Sequence, residues 1–245
     1  MQPQSQVFLQ DKIMQLANAL PDIPRFVETR GMLRSHACEI FGLSEGKILS
    51  FVVRSLQTGL IAVIGTPSVQ AIKRAVQQNT QQNAVLAFDD NIRVVAESLS
   101  GWKVERAILH QRINSIRLAD VPKNTVRYLN AEEIRDNAEI PAGLKNELII
   151  AAKATSVAAT IIDDKPVSFC YAGWETETLW DVSIDTLKAY RGHGHALACV
   201  TFLINEMNAR NKQPVWGAVE SNAASLKLAK KLFFEPVDAL FVFEH

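Results

Sequence analysis

Residues 179–196 read LWDVSIDTLKAYRGHGHA, and this stretch decides how the second half of the chain is expected to fold. The segment Leu179 to Thr186 is rich in apolar and β-branched residues, which is typical of a strand. A loop with two glycines follows. Apolar residues then recur every three or four positions from Leu197 to Met207, which predicts a helix with one buried face. We therefore expect a strand, a glycine-containing loop and a helix in direct succession.

The loop that begins at Arg191 is a candidate anion-binding site. The first turn of a helix leaves backbone N–H groups without partners and carries partial positive charge. Gly192 and Gly194 let the backbone turn sharply and come close to a phosphate. Arg191 adds a fixed charge, and His193 and His195 could add charge when protonated. The loop alone is weak evidence, because an ordinary surface turn can have the same sequence, and the two histidines can be incidental.

A second pattern lies further along the chain. Residues 214–219, PVWGAV, predict a short buried strand, and residues 223–232 return to helical spacing. Glu220, Ser221 and Asn222 separate these two elements. Strands and helices thus alternate in the C-terminal half, which favours an α/β fold class.

Two motifs in these segments resemble the GNAT superfamily of acyl-CoA N-acetyltransferases. Arg191, Gly194 and Ala196 match the pyrophosphate loop of that family, R/Q-x-x-G-x-G/A. Two motifs in the right order and separation are more specific than either one, and the resemblance extends from near Val126 to the C-terminus. The residues that resemble the family's second segment, N-x-x-S-x-x-L-x-x-K-L-G-F, are Asn222, Ser225, Leu228, Lys231 and Leu232.

The resemblance implies a mixed α/β sheet with the GNAT fold in this half, and acetyl-CoA as co-substrate. The acetyl group would pass directly to an amine, which requires proximity of the two substrates more than covalent catalysis. The backbone of residues 192–196 would bind the pyrophosphate, and the pantetheine arm would pair as a pseudo-strand along Ile184 and Thr186. The expected cofactor-binding residues are Ile184, Thr186, Arg191, Gly192, His193, Gly194, His195, Ala196, Asn222 and Ser225.

Glu220 and Asp181 are the candidate catalytic residues. A carboxylate can take the proton of an amine directly or through water, and burial that raises its pKa helps this role. A carboxylate that is not the base would instead bind substrate, cap a helix or interact with solvent.

The chain departs from the family pattern at two positions. Ala229 stands where the family usually has a tyrosine that acts as general acid, so Tyr128, Tyr171 and Tyr190 are the only phenols left. The thiolate would then leave unaided or take a proton from water. Phe233 stands where the family usually has a glycine, which alters a turn.

The N-terminal half is predicted to be α/β as well. Its first elements are helices at Val7 to Leu20 and Phe26 to Phe41, the second ending at Gly42. A hairpin of Lys47 to Ser55 and Gly59 to Gly65 follows.

Thr66 is expected to cap the next helix, ahead of Pro67. The order strand, strand, helix, strand, helix, strand then resembles the second half of a GNAT domain without its phosphate loop. We therefore expect a degenerate GNAT-like domain over residues 1–120, followed by the acetyltransferase domain over residues 121–245.

The composition limits the classes of partner. Lys plus Arg and Asp plus Glu both number 26, which gives no basic patch for nucleic acid or for a membrane surface. The chain shows no signal peptide, no apolar run long enough for a membrane span and no cysteine or histidine at metal-ligand spacing. We therefore expect a cytoplasmic protein without metal, which acts on a small-molecule amine or a protein amine, and a homodimer is one assembly to consider.

Other readings stay open at this point. An acyl-CoA-binding regulator would keep the loop and need no base, and a different nucleotide-binding α/β module would also use a helix N-terminus. The loop lacks the Lys-Ser/Thr of a P-loop, which counts against the second of these. The G-x-S-x-G string from Gly42 to Gly46 suggests a hydrolase elbow, but a predicted helix precedes it and a strand follows, which is the reverse of the required order.

Overall fold

The computed structural model describes residues 3–45, 49–78, 84–112, 118 and 125–245. Within them the chain forms eight α-helices and eleven β-strands. The helices are α1 (Pro3–Ala19), α2 (Val27–Arg34), α3 (Val69–Gln77), α4 (Ile92–Ser98), α5 (Ala131–Asp136), α6 (Ala142–Ala154), α7 (His195–Asn208) and α8 (Ala223–Lys231). The strands are β1 (Cys38–Glu45), β2 (Leu49–Ser55), β3 (Ile61–Ile64), β4 (Ala84–Ala87), β5 (Lys103–Arg112), β6 (Val126–Leu129), β7 (Val157–Ile162), β8 (Lys165–Glu175), β9 (Leu179–Thr186), β10 (Gln213–Val219) and β11 (Phe234–Glu244).

The chain divides into two compact units. The first comprises Met1–Leu109, Ala218–Asn222 and Val237–His245, and the second comprises His110–Gly217 and Ala223–Pro236. Two short C-terminal segments therefore group with the N-terminal part of the chain. The expected boundary between residues 120 and 121 lies outside the described residues and stays a prediction.

The first unit contains strands in the order β1-β2-β3-β4-β11-β5. β1, β2 and β3 are antiparallel neighbours, β3 and β4 are parallel, and β11 runs antiparallel to β4. Residues of α3 and α4 pack against these strands, with Ile72 and Val95 fully buried among them. This α/β arrangement confirms the predicted fold class for the N-terminal half.

Two local predictions for this unit are wrong. The helix expected over residues 26–41 ends at Arg34, and Cys38–Glu45 instead forms β1, because these residues pair along β2 from Cys38 opposite Ser55. The cap of α3 is Ser68 rather than Thr66, since the Ser68 side chain accepts a hydrogen bond from the Ala71 amide. The hairpin between β2 and β3 is confirmed.

The second unit contains strands in the order β10-β9-β8-β7-β6. β6 to β9 form the predicted antiparallel meander, and β9 and β10 run parallel. Asp163 and Asp164 connect β7 to β8 with φ angles of 47° and 62°, the left-handed conformation that a tight hairpin turn needs. The sequence pattern from Val126 to Thr186 predicts a strand, two helices and then an antiparallel meander that turns at Asp163 and Asp164. The structure confirms this order.

Helices cover both faces of this second sheet. Phe169 of β8 packs with Ile134 of α5 and Leu148 of α6, so odd-numbered positions of β8 face these two helices. On the opposite face, Tyr128 of β6 contacts Phe202 of α7 edge-on, with ring centroids 5.3 Å apart. Among the described helices, none has the length and apolar character to cross a membrane.

Candidate functional site

The loop before α7 leaves the first helical turn open. Gly194 is the residue before the helix, and no side chain makes a capping hydrogen bond there. The first turn of α7 also lacks acidic residues. Because the first amides of a helix have no partner within the helix, those of α7 are available to an anion.

Both glycines of the loop are required by the backbone. Gly192 and Gly194 have φ angles of +84° and +87°, where residues with a Cβ are strained. Apart from the adjoining residues, no heavy atom of the described part of the chain lies within 4 Å of the position that a Cβ would take at either glycine. Residues 191–194 are exposed, so the loop is an open turn and crowded side chains do not close it.

Four side chains border this loop. The Arg191 Nε donates a hydrogen bond of 3.0 Å to the carbonyl of Thr186, which ties the loop back to the end of β9. The rings of His193 and His195 are stacked at 6.0 Å, and Tyr190 meets His195 edge-on at 6.3 Å. Arg191 keeps further guanidinium donors beyond the one used here.

Buried hydroxyl groups beneath the loop fix its position on the sheet. Thr160 of β7 donates to the carbonyl of His195 at 2.9 Å. Ser168 of β8 donates to the carbonyl of Asp185 at 3.0 Å and lies 2.8 Å from the Thr186 hydroxyl. Neither Thr160 nor Ser168 can be recognised from the sequence, because isolated hydroxyl residues in a strand give no signal of their position below a loop.

β9 and β10 separate beside the loop. Their parallel pairing covers Leu179 to Asp181 of β9 and Gln213 to Val215 of β10. β9 then continues to Thr186 along β8, while its pairing with β10 has ended. Among the described strands, none pairs with Val182–Thr186 on the side away from β8, so this stretch, which holds Ile184 and Thr186, has an open edge. An open strand edge can accept an extended ligand through backbone hydrogen bonds.

Asp181 lies where the two strands part. Its side chain is partly exposed at one side and otherwise enclosed, and this burial raises its pKa from 3.8 to about 7, while a hydrogen bond from the Val182 backbone acts in the opposite direction. At neutral pH, therefore, both the ionised and the neutral form of the carboxyl are populated. Such a group can accept and release a proton near pH 7.

Other polar groups share the face of Asp181. Ser183 and Asp185 follow at alternate positions of β9, and Tyr171 lies opposite Ser183 on β8. Burial, together with the charge of Glu147 on α6, raises the pKa of Asp185 to about 6 against the opposing charge of Arg191. Burial also raises the pKa of Tyr171, as do Glu147 and Asp185, while Ser183 lowers it. The Tyr171 phenol is therefore protonated at any physiological pH.

Glu220 and Asn222 belong to the first unit by its residue ranges. The Glu220 side chain is 55% exposed and forms an ion pair with Arg106 at 2.7 Å. Its amide donates to the Arg106 carbonyl at 2.9 Å, and the Asn222 amide donates to the Val219 carbonyl at 2.9 Å. Glu220 is thus held at the surface by a charged partner.

Ser225 and Ala229 lie on α8. The Ser225 hydroxyl accepts a hydrogen bond of 2.9 Å from the Trp216 indole N–H of β10, so it has a structural partner. Ala229 is fully buried, and this position supplies no acid. Phe233 adopts φ +63° with 59% of its surface exposed, so it takes the left-handed conformation that the expected glycine would adopt.

Among the described residues, no group of histidine, cysteine, aspartate or glutamate side chains could hold a metal ion. Cys38, Cys170 and Cys199 are buried free thiols. The Cys199 thiol donates to the carbonyl of Ala158 at 3.3 Å, which is a structural contact between α7 and β7.

Comparison with known families agrees with this geometry. Residues 157–243 match the family model described as GNAT acetyltransferase. The matched part of the chain holds the glycine loop and the stretch where β9 and β10 separate. A comparison with curated protein sequences found no match.

Solved structures with a similar fold extend the likeness to nearly the whole chain. A GCN5-related N-acetyltransferase-like protein from Streptococcus suis is 16% identical, with a TM-score of 0.68 over 96% of this chain and 97% of the other. A putative acetyltransferase of the GNAT family from Novosphingobium aromaticivorans is also 16% identical, with a TM-score of 0.62 over 91% and 97%. A tandem GNAT protein from the clavulanic acid biosynthesis pathway is 11% identical, with a TM-score of 0.53 over 89% and 86%. At these identities the likeness concerns the fold, and the tandem architecture fits the GNAT-like N-terminal half expected from the sequence.

Proposed function

We propose that the protein transfers an acetyl group from acetyl-CoA directly to an amine. The observation that carries this proposal is the open, uncapped first turn of α7 beside the free edge of β9. A diphosphate suits the first feature, because converging amides and the helix dipole favour negative charge. An extended pantetheine arm suits the free edge of β9, because its amide groups can pair with the backbone of a strand.

The proposed cofactor contacts follow from this placement. The amides of residues 192–196 bind the diphosphate, and Arg191, the first residue of the loop, contributes a positive charge. The backbone of Ile184 and Thr186 pairs with the pantetheine arm. His193 and His195 lie at the rim of the loop, and the assignment of Asn222 and Ser225 to the cofactor rests on the sequence resemblance.

Asp181 is the better of the two candidate bases. Its pKa of about 7 matches a group that must take a proton at neutral pH, and it lies at the point where β9 and β10 part. The amine nitrogen attacks the thioester carbonyl carbon, the carbon–sulfur bond breaks, and Asp181 takes the proton that the nitrogen loses. The CoA thiolate leaves unaided or takes a proton from water.

Glu220 is less suited to this role. Its side chain is exposed, and its carboxylate is already engaged in an ion pair with Arg106. The exposed Glu220 carboxylate therefore lacks the burial that favours a catalytic base. We therefore assign Glu220 a structural role at the surface.

The experiment that tests the proposal separates binding from turnover. Calorimetry measures the affinity for acetyl-CoA, and mass spectrometry follows acetyl transfer to a mixed panel of small amines and peptides. Wild type should bind and transfer, whereas Asp181→Asn should bind with the same affinity and transfer at least about 100-fold more slowly. Asp164→Asn in the exposed turn after β7 is the matched control and should behave as wild type.

One observation favours a second candidate function. Ala229 is buried where the family usually has its acid, which fits an acyl-CoA-binding regulator without turnover. Tight binding of acetyl-CoA without transfer to any amine would support this regulator, and absence of binding would contradict both functions. We further propose a cytoplasmic location, which the three buried free thiols support, and an acceptor that is a small-molecule or protein amine.

A further inference from the structure

Strand β8 bulges opposite Asp181. Ala172 pairs with Val182 and Glu175 pairs with Trp180, so two residues of β8, Gly173 and Trp174, stand opposite the single residue Asp181. Such bulges redirect side chains and occur often beside functional sites. The bulge therefore sets where the Asp181 carboxyl group points relative to β8.

Gly173 provides the space that this carboxyl group occupies. A Cβ at residue 173 would lie 2.8 Å from Asp181 Oδ2 and 2.9 Å from Ser183 Oγ. Real Cβ atoms essentially never lie this close to oxygen, so any larger residue would push both oxygens away. The atoms in conflict are the ends of short side chains and not backbone, so the fold can tolerate the change while the two oxygens move.

The second wall of this space is a pair of hydroxyl groups. Ser183 and Tyr171 lie opposite each other on β9 and β8, and their side chains interact. Tyr171 is packed against the apolar residues beneath α5 and α6, which limits its movement. The Ser183 side chain thus interacts with the Tyr171 phenol and, like the Asp181 carboxyl group, borders the space above Gly173.

We propose that Gly173, Ser183 and Tyr171 are positioning residues that hold the Asp181 carboxyl group where it can take the proton of the acceptor amine. Gly173 does this by the absence of a side chain, and the two hydroxyl groups do it by limiting where the carboxyl group can turn. This inference rests on the proposed function, in which Asp181 is the base.

The test compares Gly173→Ala with Gly143→Ala. Gly143 lies near the start of α6, and a Cβ there meets nothing within 4 Å, so it is a matched change without a conflict. Gly173→Ala should lower kcat about 10- to 100-fold, the size expected when a catalytic group is displaced by up to 1 Å. The KM for acetyl-CoA should stay within about twofold of wild type, and Gly143→Ala should match wild type in both constants.

A double variant shows whether the effect passes through Asp181. Gly173→Ala combined with Asp181→Asn should be no slower than Asp181→Asn alone, because the carboxylate that the methyl group displaces is then absent. Ser183→Ala, which adds no atoms, should lower kcat to a smaller degree and covers the case in which Gly173→Ala does not fold.

Carbon-13 NMR of the aspartate carboxyl groups gives a readout that does not depend on turnover. In wild type the Asp181 carboxyl should titrate near pH 7, and in Gly173→Ala its pKa should fall toward the ordinary range as the methyl group drives it to its open side. Equal titration and equal kcat in Gly173→Ala and Gly143→Ala would overturn the positioning role. Full activity of Asp181→Asn would instead overturn the proposed base, whichever result Gly173→Ala gives.

Discussion

Replacing Asp181 by asparagine should change how the stability of the protein depends on pH. Burial raises the Asp181 pKa from 3.8 to about 7, so the folded protein binds the carboxyl proton more tightly than the unfolded chain does. The stability that this proton contributes is complete below about pH 4 and is lost as the pH rises through about 7. Asparagine keeps the shape of the side chain and removes the titration.

The magnitude follows from the separation of the two pKa values. Each tenfold difference in proton affinity is worth about 1.4 kcal/mol, so the full penalty for ionising Asp181 is at most about 4 kcal/mol. The partly exposed side of the residue reduces it, and we expect about 2 to 4 kcal/mol. Asp185 titrates in the same range, but it is present in both proteins and cancels in the comparison.

Urea unfolding at pH 5 and at pH 8.5 measures the effect. Because part of the penalty is already present at pH 5, the free energy of unfolding of Asp181→Asn, relative to wild type, should rise by about 1 to 3 kcal/mol between the two conditions. Asp164→Asn, in an exposed turn, should follow wild type at both pH values. Parallel pH profiles for wild type and Asp181→Asn would refute the argument that burial raises this pKa, and with it the main reason to prefer Asp181 as the base.

Three further substitutions test other parts of the structure. Phe233→Gly should raise the free energy of unfolding in urea by about 1 kcal/mol, because glycine adopts φ +63° without strain; a loss of stability would contradict this. Glu220→Gln should lower the free energy of unfolding by less than about 1 kcal/mol and change kcat by less than about twofold, because its ion pair with Arg106 is exposed. A large fall in kcat would make Glu220 a candidate base again. Gly194→Ala should weaken acetyl-CoA binding about tenfold in calorimetry. Because φ +87° is strained for alanine, the loop must shift by enough to lose about one charge-assisted hydrogen bond. Unchanged affinity would argue against the loop as the diphosphate site.

Much of the second unit could be predicted because its local signals agree with its tertiary structure. The turn at Asp163 and Asp164, the strands on either side of it and the loop before α7 all carry residues whose backbone preferences match their position. In the first unit the residues of β1 were predicted as helix, since the pairing with β2 that overrides local propensity involves partners distant in the sequence.

The candidate site was predictable only in part, for a similar reason. Gly192 and Gly194 can be recognised in the sequence as residues suited to a sharp backbone turn, and the family resemblance assigns Ile184 and Thr186 to the same site. Gly173 carries no such signal, because its role depends on the approach of Asp181 from another strand. The elevated pKa of Asp181 likewise arises from burial, which the sequence does not display.

The free edge of β9 has a consequence for the behaviour of the unliganded protein. Val182–Thr186 presents about 16 Å of backbone that any extended peptide could pair with as readily as a pantetheine arm does. The opening to which we assign the cofactor is therefore also a template for association between molecules. If CoA binds there as proposed, a saturating concentration of CoA during purification and storage would occupy that template and keep the protein from self-associating.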